Sequence, residues 1–244
     1  MILITRPLIE AEELKAKLLD LKINSCCDSI ISFQHDDKWI NNQNVFNANS
    51  VFLFTSIQAV ISIEKSYSLI DYFKNTKIIC VGERVSSYLK SKSVENIISI
   101  FKDSDQLILE LDFKSLRENS LTYFCGNNYN ASLVEQIRSK NVKCEPIVVY
   151  NVKTANALKV ETQEMIAKNK IQSVALFSQF SANVFFDLLQ KANLADLFRN
   201  REIFCLSEKI SIIARSRNFN NTSFPPFPDE QSLLDVIKKS LSAH

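Results

Sequence analysis

The stretch VFLFTSIQAV (51–60) begins with a short apolar run, continues through Thr55 and Ser56, and ends in residues that suit a helix. The stretch VALFSQFSAN (174–183) repeats this pattern. Unbroken apolar runs favour strands that are buried on both faces, which is typical of parallel sheets. The two stretches therefore predict an α/β fold in which each strand leads into a helix.

Four further stretches extend this pattern: ILIT (2–5), KIICVG (77–82), LTYFCG (121–126) and EIFCLS (202–207). The pattern also recurs in order along the chain. IICVGERVS (78–86) aligns with IFCLSEKIS (203–211), and ILITRPLIEA (2–11) aligns more weakly with TYFCGNNYNA (122–131). An offset of about 120 residues indicates two copies of one unit, although the general similarity of βα units is a simpler explanation.

Two β-rich segments, DSIISFQ (28–34) and PIVVYNVK (146–153), interrupt the helical rhythm. They are either ordinary sheet strands or connectors between domains. Near the end, FPPFPDE (224–230) predicts a turn before a last helix over 231–241.

Composition narrows the class of protein. The formal net charge is +2 over 244 residues and no run of five basic residues occurs, so nucleic acid is not an expected partner. Residues 1–7 lack the features of a signal peptide, and no run approaches the ~18 apolar residues of a membrane helix. We therefore expect a cytoplasmic protein without membrane contact. The six cysteines are expected to be buried free thiols.

Glycine is scarce, with only Gly82 and Gly126. Turns are therefore predicted to use Asn, Ser or Lys where glycine is usual, and Asn tolerates positive φ best.

The usual catalytic motifs are missing. The only histidines are His35 and His244, and the sequence has no CxxC, GxSxG or GxxxxGK[ST] motif. Cys125 precedes Gly126, but no base accompanies it in sequence. We expect neither a metal nor another cofactor.

Small polar clusters follow several predicted strands. They are Thr55-Ser56 with Gln58, Gly82 with Ser86, Gly126-Asn127, and Ser178-Gln179. At the carboxyl ends of parallel strands, such clusters present hydroxyls and helix-start N–H groups that bind anions. Arg6 adds a positive charge after the first strand. The alternatives are that the hydroxyls are only helix caps and that Arg6 forms a surface ion pair.

In this order, the motifs resemble the uroporphyrinogen-III synthase family. The matching stretches are ILITRP, VFLFTSIQAV, IICVGERVSSYL, FCGNNYNASLVEQI, PIVVYNV, VALFSQFSANVF and PDEQSLLDVI. The resemblance implies two parallel-sheet βα domains, flavodoxin-like and related, which are joined by a two-stranded β connector. The domains would be 1–33 with 153–244, and 36–149, with connectors at about 28–35 and 146–153. The active site would lie in the interdomain cleft.

The resemblance also implies the activity. The enzyme would be a lyase that closes hydroxymethylbilane, with loss of water and inversion of ring D, into uroporphyrinogen III for haem biosynthesis. Tyr150 would assist departure of the hydroxyl group by hydrogen bonding. The positions that match substrate-facing residues are Thr55, Ser56, Gly126, Asn127 and Ser178. No cofactor is implied, and we expect a monomer, with channelling of the substrate from the preceding deaminase as one option.

This chain departs from the family at two loops. Val85, with Ser86 beside it, stands where many members have Thr, and Ser207 and Ile210 replace a Gly and a Thr. Lys209 offers an electrostatic contact there instead. Two other functions stay open: a non-catalytic two-domain module that binds another polyanion, and a flavodoxin-like interaction domain without a small ligand.

Overall fold

Strands and helices alternate along the chain in the computed structural model, which describes residues 1–41, 50–117 and 119–242. The strands are β1 (Ile2–Ile4), β2 (Ser25–Cys27), β3 (Ile31–His35), β4 (Ser50–Phe54), β5 (Lys77–Val81), β6 (Ile97–Phe101), β7 (Ser120–Gly126), β8 (Lys143–Thr154), β9 (Ser173–Leu176), β10 (Glu202–Cys205) and β11 (Thr222–Ser223). The helices are α1 (Leu8–Asp20), α2 (Ile57–Glu64), α3 (Leu69–Phe73), α4 (Glu83–Ser91), α5 (Ser104–Glu110), α6 (Ala131–Ser139), α7 (Val160–Ala167), α8 (Gln179–Lys191), α9 (Ala195–Phe198), α10 (Glu208–Ser216) and α11 (Glu230–Ser242), with a 3-10 turn at Lys38–Asn41.

The chain divides into two compact units. Residues 1–32 with 153–244 form unit 1, and residues 33–152 form unit 2. The sheet of unit 1 has the order β11-β10-β9-β1-β2, and its neighbouring strands are parallel. The sheet of unit 2 has the order β3-β8-β7-β4-β5-β6 and is parallel from β8 to β6. The predicted fold class, with two parallel α/β sheets, is confirmed.

The strand order of the two sheets agrees with the repeat that the sequence predicted. In unit 1, β10, β9 and β1 are neighbours, and in unit 2 the matching strands β5, β4 and β7 are neighbours in the same order. The strand from the start of the chain therefore completes the sheet of β9 and β10, whereas β7 completes the sheet of β4 and β5.

The two β-rich segments form β3 and part of β8, which lie side by side. Asp36 N–H donates to the Val149 carbonyl at 3.0 Å, and Ala155 N–H donates to the Ile30 carbonyl at 2.9 Å. Residue numbers rise along one strand as they fall along the other, so this pair is antiparallel. The chain passes between the units within these two strands. Each segment is therefore a sheet strand, and the division between the units falls within it.

Apolar side chains on both faces of the strands explain the unbroken apolar runs. Every residue of β4 is buried. Phe52 and Phe54 pack with Phe124 on one face of the sheet, whereas Val51 and Leu53 belong to the core on the other face. A parallel strand between two helical layers needs apolar residues at successive positions, because alternate side chains point to opposite faces.

Helix ends show how the chain manages with two glycines. Six residues other than glycine have positive φ, and each follows the C-cap of a helix in the described chain: Lys22, Ser93, Asn141, Asn169, Asn193 and Asn218. This left-handed position usually carries glycine. The predicted use of Asn, Ser and Lys in such turns is confirmed.

Candidate active site

The carboxyl ends of neighbouring strands bring several predicted residues of unit 2 to one edge of its sheet. Thr55 and Ser56 follow β4, and Gly126 is the last residue of β7. β4 and β7 are parallel neighbours, and Gly126 pairs with Tyr150 of β8. We call this edge, with Thr55, Ser56, Gly126, Asn127 and Tyr150, the neutral edge.

The ring of Tyr150 packs directly against the backbone of Gly126. A β-carbon at position 126 would lie 2.6 Å from Tyr150 Cε2 and 3.0 Å from the phenolic oxygen. Real side chains do not approach this closely, so only glycine leaves room for the ring. Phe33 supports the same ring edge-on, with 5.6 Å between the ring centroids.

The Ser56 hydroxyl lies near the phenolic group of Tyr150. Ser56 is also the N-cap of α2, since its hydroxyl oxygen accepts from Gln58 N–H at 3.2 Å. Burial raises the pKa of Tyr150, and the nearby Ser56 hydroxyl offsets part of this rise. Tyr150 is therefore a neutral donor at physiological pH. Ser56 is a helix cap, as the alternative proposed, and also a contact of Tyr150.

A second tyrosine holds Thr55. The hydroxyls of Thr55 and Tyr123 are 2.8 Å apart, and the ring of Tyr123 is buried in the core. Burial raises the pKa of Tyr123, so its hydroxyl also stays neutral. The sequence did not single out Tyr123, because a tyrosine inside a strand is usually packing.

Asn127 does not begin a helix, which corrects the sequence-based interpretation of Gly126-Asn127. Helix α6 begins four residues later, because Asn130 is its N-cap and accepts from Leu133 N–H. Asn127 instead fastens β7 to β8. Its N–H donates to the Tyr150 carbonyl at 3.1 Å, and its side-chain oxygen accepts from Val152 N–H at 2.9 Å.

The loop after β5 offers fewer groups for substrate binding than the sequence predicted. Gly82 has φ +93°, which favours glycine, and its N–H donates to the Phe101 carbonyl at 2.7 Å. Ser86 is buried, and its hydroxyl donates to the Glu83 carbonyl within α4. Val85 belongs to the apolar core. The hydroxyl of Ser86 is therefore engaged by its own helix, and this geometry does not favour it as a substrate contact.

The matching edge of unit 1 is ionic. Arg6 follows β1, and its Nη1 donates to Glu230 Oε2 at the start of α11. Lys17 Nζ donates to Glu230 Oε1 at 2.5 Å. The Arg6 guanidinium carbon lies 4.2 Å from the centroid of the Phe177 ring. We call Arg6, Lys17, Phe177 and Glu230 the ionic edge.

The ionic edge changes the interpretation of Arg6. The alternative of an ion pair is correct, but the pair is partly buried, because the Arg6 side chain is only 8% exposed and that of Glu230 is 29% exposed. Burial raises the pKa of Glu230, but bonds from Lys17 and Arg6 outweigh it, so the pKa lies below its usual value. Glu230 therefore stays ionised at neutral pH.

Ser178 and Gln179 follow Phe177 in the same unit. Ser178 caps α8 through a capping box with Ser181, in which each hydroxyl bonds the other residue's N–H. The Gln179 side chain is exposed in the first turn of this helix. The Ser178 hydroxyl thus has a structural role, while N–H groups of the first turn keep no partner within the helix.

The loop after β10 carries the other departures from the family. Ser207 is the N-cap of α10 without a side-chain cap bond, and Ile210 is buried. Lys209 is exposed in the first turn of α10. The start of α10 therefore carries Lys209, and Ile210 lacks the hydroxyl of the Thr that many family members have at its position.

Cysteine and histidine show no catalytic arrangement in the described chain. All six cysteines are free, four are buried and Cys26 and Cys27 are half-buried. Burial raises the pKa of Cys125 to about 12, so its thiol stays protonated. His35 contacts Ser66, and His244 lies outside the described residues.

Across residues 1–41, 50–117 and 119–242, no group of three His, Cys, Asp or Glu residues is placed to hold a metal. In the same ranges, each helix is too short or too polar to cross a bilayer.

The two parallel sheets define an α/β protein of the class in which ligands usually bind at the carboxyl ends of the strands. The fold is similar to two solved enzymes. A mutant uroporphyrinogen III synthase from the extremely thermophilic bacterium Thermus thermophilus is 12% identical, with a TM-score of 0.67 over 100% of this chain and 99% of that one. Uroporphyrinogen-III synthetase from Helicobacter pylori is 14% identical, with a TM-score of 0.64 over 91% and 93%. At this identity, the two structures show the fold alone.

A family comparison identifies the chain further. The model of the family described as uroporphyrinogen-III synthase HemD matches residues 12–235, so the chain belongs to the uroporphyrinogen-III synthase family. No curated protein sequence matches it. The chain is a cyclising lyase of haem biosynthesis whose substrate is a tetrapyrrole, as the resemblance predicted.

Proposed function

We propose that the neutral edge acts on the leaving hydroxyl of hydroxymethylbilane, with Tyr150 as the catalytic donor. The observation that carries this proposal is the packing of Tyr150 on Gly126. Because position 126 has no side chain, the phenolic oxygen lies against the buried end of β7, with the Ser56 hydroxyl nearby. A neutral phenol donates a hydrogen bond to the departing oxygen. This hydrogen bond strengthens as the oxygen gains negative charge.

The remaining chemistry follows from the substrate. The hydroxyl takes up one proton and leaves as water, which gives a cationic azafulvene, and a proton is lost again when the final ring closes. Attack on the azafulvene by the substituted carbon of ring D forms a spiro intermediate. Fragmentation and reclosure then invert that ring. Since the substrate also cyclises without inversion on its own, the enzyme must hold the chain so that the inverting attack is favoured. Positioning of this kind needs no residue to change its charge.

We further propose which groups hold the carboxylates of the substrate. In unit 1 they are Arg6, Lys209 and the first-turn N–H groups of α8, which begin at Gln179 after the N-cap Ser178. In unit 2 they are the backbone at Gly126 with Thr55, Ser56 and Gln58, whereas the N–H groups of Gly82 and Asn127 already bond strand carbonyls. Helix-start N–H groups and an arginine are typical partners of carboxylates.

The experiment supplies freshly prepared hydroxymethylbilane to the purified chain and identifies the ring isomer after a short reaction. We expect the type III ring at a rate well above the spontaneous reaction. Formation of the type I ring alone, at the spontaneous rate, would contradict the proposed function.

We also propose that the chain works in the cytoplasm as a monomer and receives its substrate by channelling from the deaminase that makes it. The short life of the bilane supports channelling. Co-sedimentation of the two enzymes, and a lower yield of type I ring when both are present, would test it.

A further inference from the structure

The ionic edge contains an arginine, Arg6, that is bonded to a carboxylate on one side only. Arg6 presents five N–H donors, and only its Nη1 bonds Glu230. Its Nε and Nη2 make no hydrogen bond to any residue within 1–41, 50–117 or 119–242. One planar side of the guanidinium therefore keeps donors in the paired geometry that suits a carboxylate.

The other sides of this guanidinium are fixed. The Phe177 ring covers one face at 4.2 Å, and Glu230 occupies the edge at Nη1. Glu230 is itself fixed by Lys17 at 2.5 Å and lies in the first turn of α11, where a negative charge is favourable. Arg6 is thus clamped by an aromatic face and by an anion that has its own support.

Charge also favours a further anion at this cluster. Arg6 and Lys17 carry two positive charges and Glu230 carries one negative charge, which leaves a local charge of +1. A buried arginine without a counter-ion would be costly, and Glu230 removes that cost without neutralising the cluster.

We propose that Glu230 and Phe177 are positioning residues that hold the free side of Arg6 ready for one carboxylate of the tetrapyrrole. This inference rests on the proposed function, because it takes Arg6 as a substrate contact. Glu230 acts through Arg6 and does not touch the reacting carbon atoms. Its loss should therefore weaken binding while leaving the chemical step almost intact.

The test is the kinetics of Glu230→Gln with freshly prepared hydroxymethylbilane. We expect KM to rise roughly tenfold and kcat to change less than about threefold, with the type III ring still formed. Glu64→Gln is the matched control, because the Glu64 side chain is 30% exposed, against 29% for Glu230, and also accepts from two donors, Tyr88 and Lys92. We expect the control to keep the KM of the unmodified chain.

Three results would overturn the inference: an unchanged KM in Glu230→Gln, equal losses in KM and kcat, or the same change in the Glu64 control. If Glu230→Gln does not fold, Phe177→Leu carries the test, since it removes the aromatic face and keeps every charge. Its KM should rise several-fold, and an unchanged KM would overturn the inference. If the unmodified chain forms only the type I ring, the proposed function fails instead.

Discussion

The neutral edge of unit 2 and the ionic edge of unit 1 are built by the same strand order but carry different chemistry. In unit 2, hydroxyls and a phenol cluster around Gly126. In unit 1, Arg6, Lys17 and Glu230 form an ion-pair cluster over Phe177. Topology alone therefore decides where functional groups gather, and the side chains decide what those groups do.

The difference suggests a division of labour. Charged groups contact a carboxylate equally well before and during the reaction, so the ionic edge should mainly set affinity. A neutral phenol contacts a group whose charge changes, so the neutral edge should mainly set the rate.

The largest effect that tests this comparison is expected for Gly126→Ala. The added methyl group would meet the Tyr150 ring at 2.6 Å, so the ring must leave its position. We expect kcat to fall about 100-fold because the phenol is misplaced, and the free energy of unfolding to fall by about 2 kcal/mol. Steady-state kinetics and denaturant unfolding measure the two losses.

The control combines Gly126→Ala with Tyr150→Ala. Removing the ring removes the clash, so the double variant should unfold with less cost than the sum of the two single variants. If the losses in the free energy of unfolding of the two single variants add up to that of the double variant, Tyr150 does not limit the space at position 126.

The next effect concerns the ionic edge and pH. The pKa of Glu230 is lowered in the folded protein, so its stabilising contribution is present above the usual glutamate pKa and is lost as pH falls through the lowered value. We expect Glu230→Gln to reduce the free energy of unfolding by about 2 kcal/mol at pH 7, and by progressively less below about pH 4. Urea unfolding at several pH values measures this difference. A difference that stays constant down to about pH 3 would contradict the ionised pair.

The smallest expected effects come from removing one serine N-cap in each unit, which compares the two edges directly. Ser178→Ala and Ser56→Ala each remove an N-cap, so each should cost about 1 kcal/mol of unfolding free energy. Only Ser56 lies beside the Tyr150 phenol and offsets part of the rise that burial causes in its pKa, so only Ser56→Ala should lower kcat, by roughly three- to tenfold. Equal kcat values for the two variants would remove Ser56 from the neutral edge.

The sequence predicted the interior of both sheets and missed most of their edges. The six strands predicted from unbroken apolar runs all lie inside a sheet. The strands that it missed, β2, β6 and β11, are all at sheet edges. β6 alternates between partly buried and exposed residues, and β11 has two residues, so neither has an apolar run.

The site was predicted less completely for a related reason. Thr55 and Ser56 follow β4, and Gly126 ends β7. Both strands have unbroken apolar runs, so this edge could be predicted from local patterns. Glu230 lies 224 residues from Arg6, and no local pattern links the two. Ser86 and Asn127 fit the pattern of polar residues after strands, but Ser86 bonds its own helix and Asn127 bonds β8. Tyr150 came from the family resemblance and not from physical reasoning.

The division of labour is tested most directly by measuring kcat and KM of Tyr150→Phe and Arg6→Gln in one assay with freshly prepared hydroxymethylbilane. We expect Tyr150→Phe to lower kcat roughly tenfold to 100-fold at nearly constant KM. Arg6→Gln should raise KM roughly tenfold or more with a smaller change in kcat. If both variants changed kcat and KM in the same proportion, the two edges would not have separate roles and the account would be wrong.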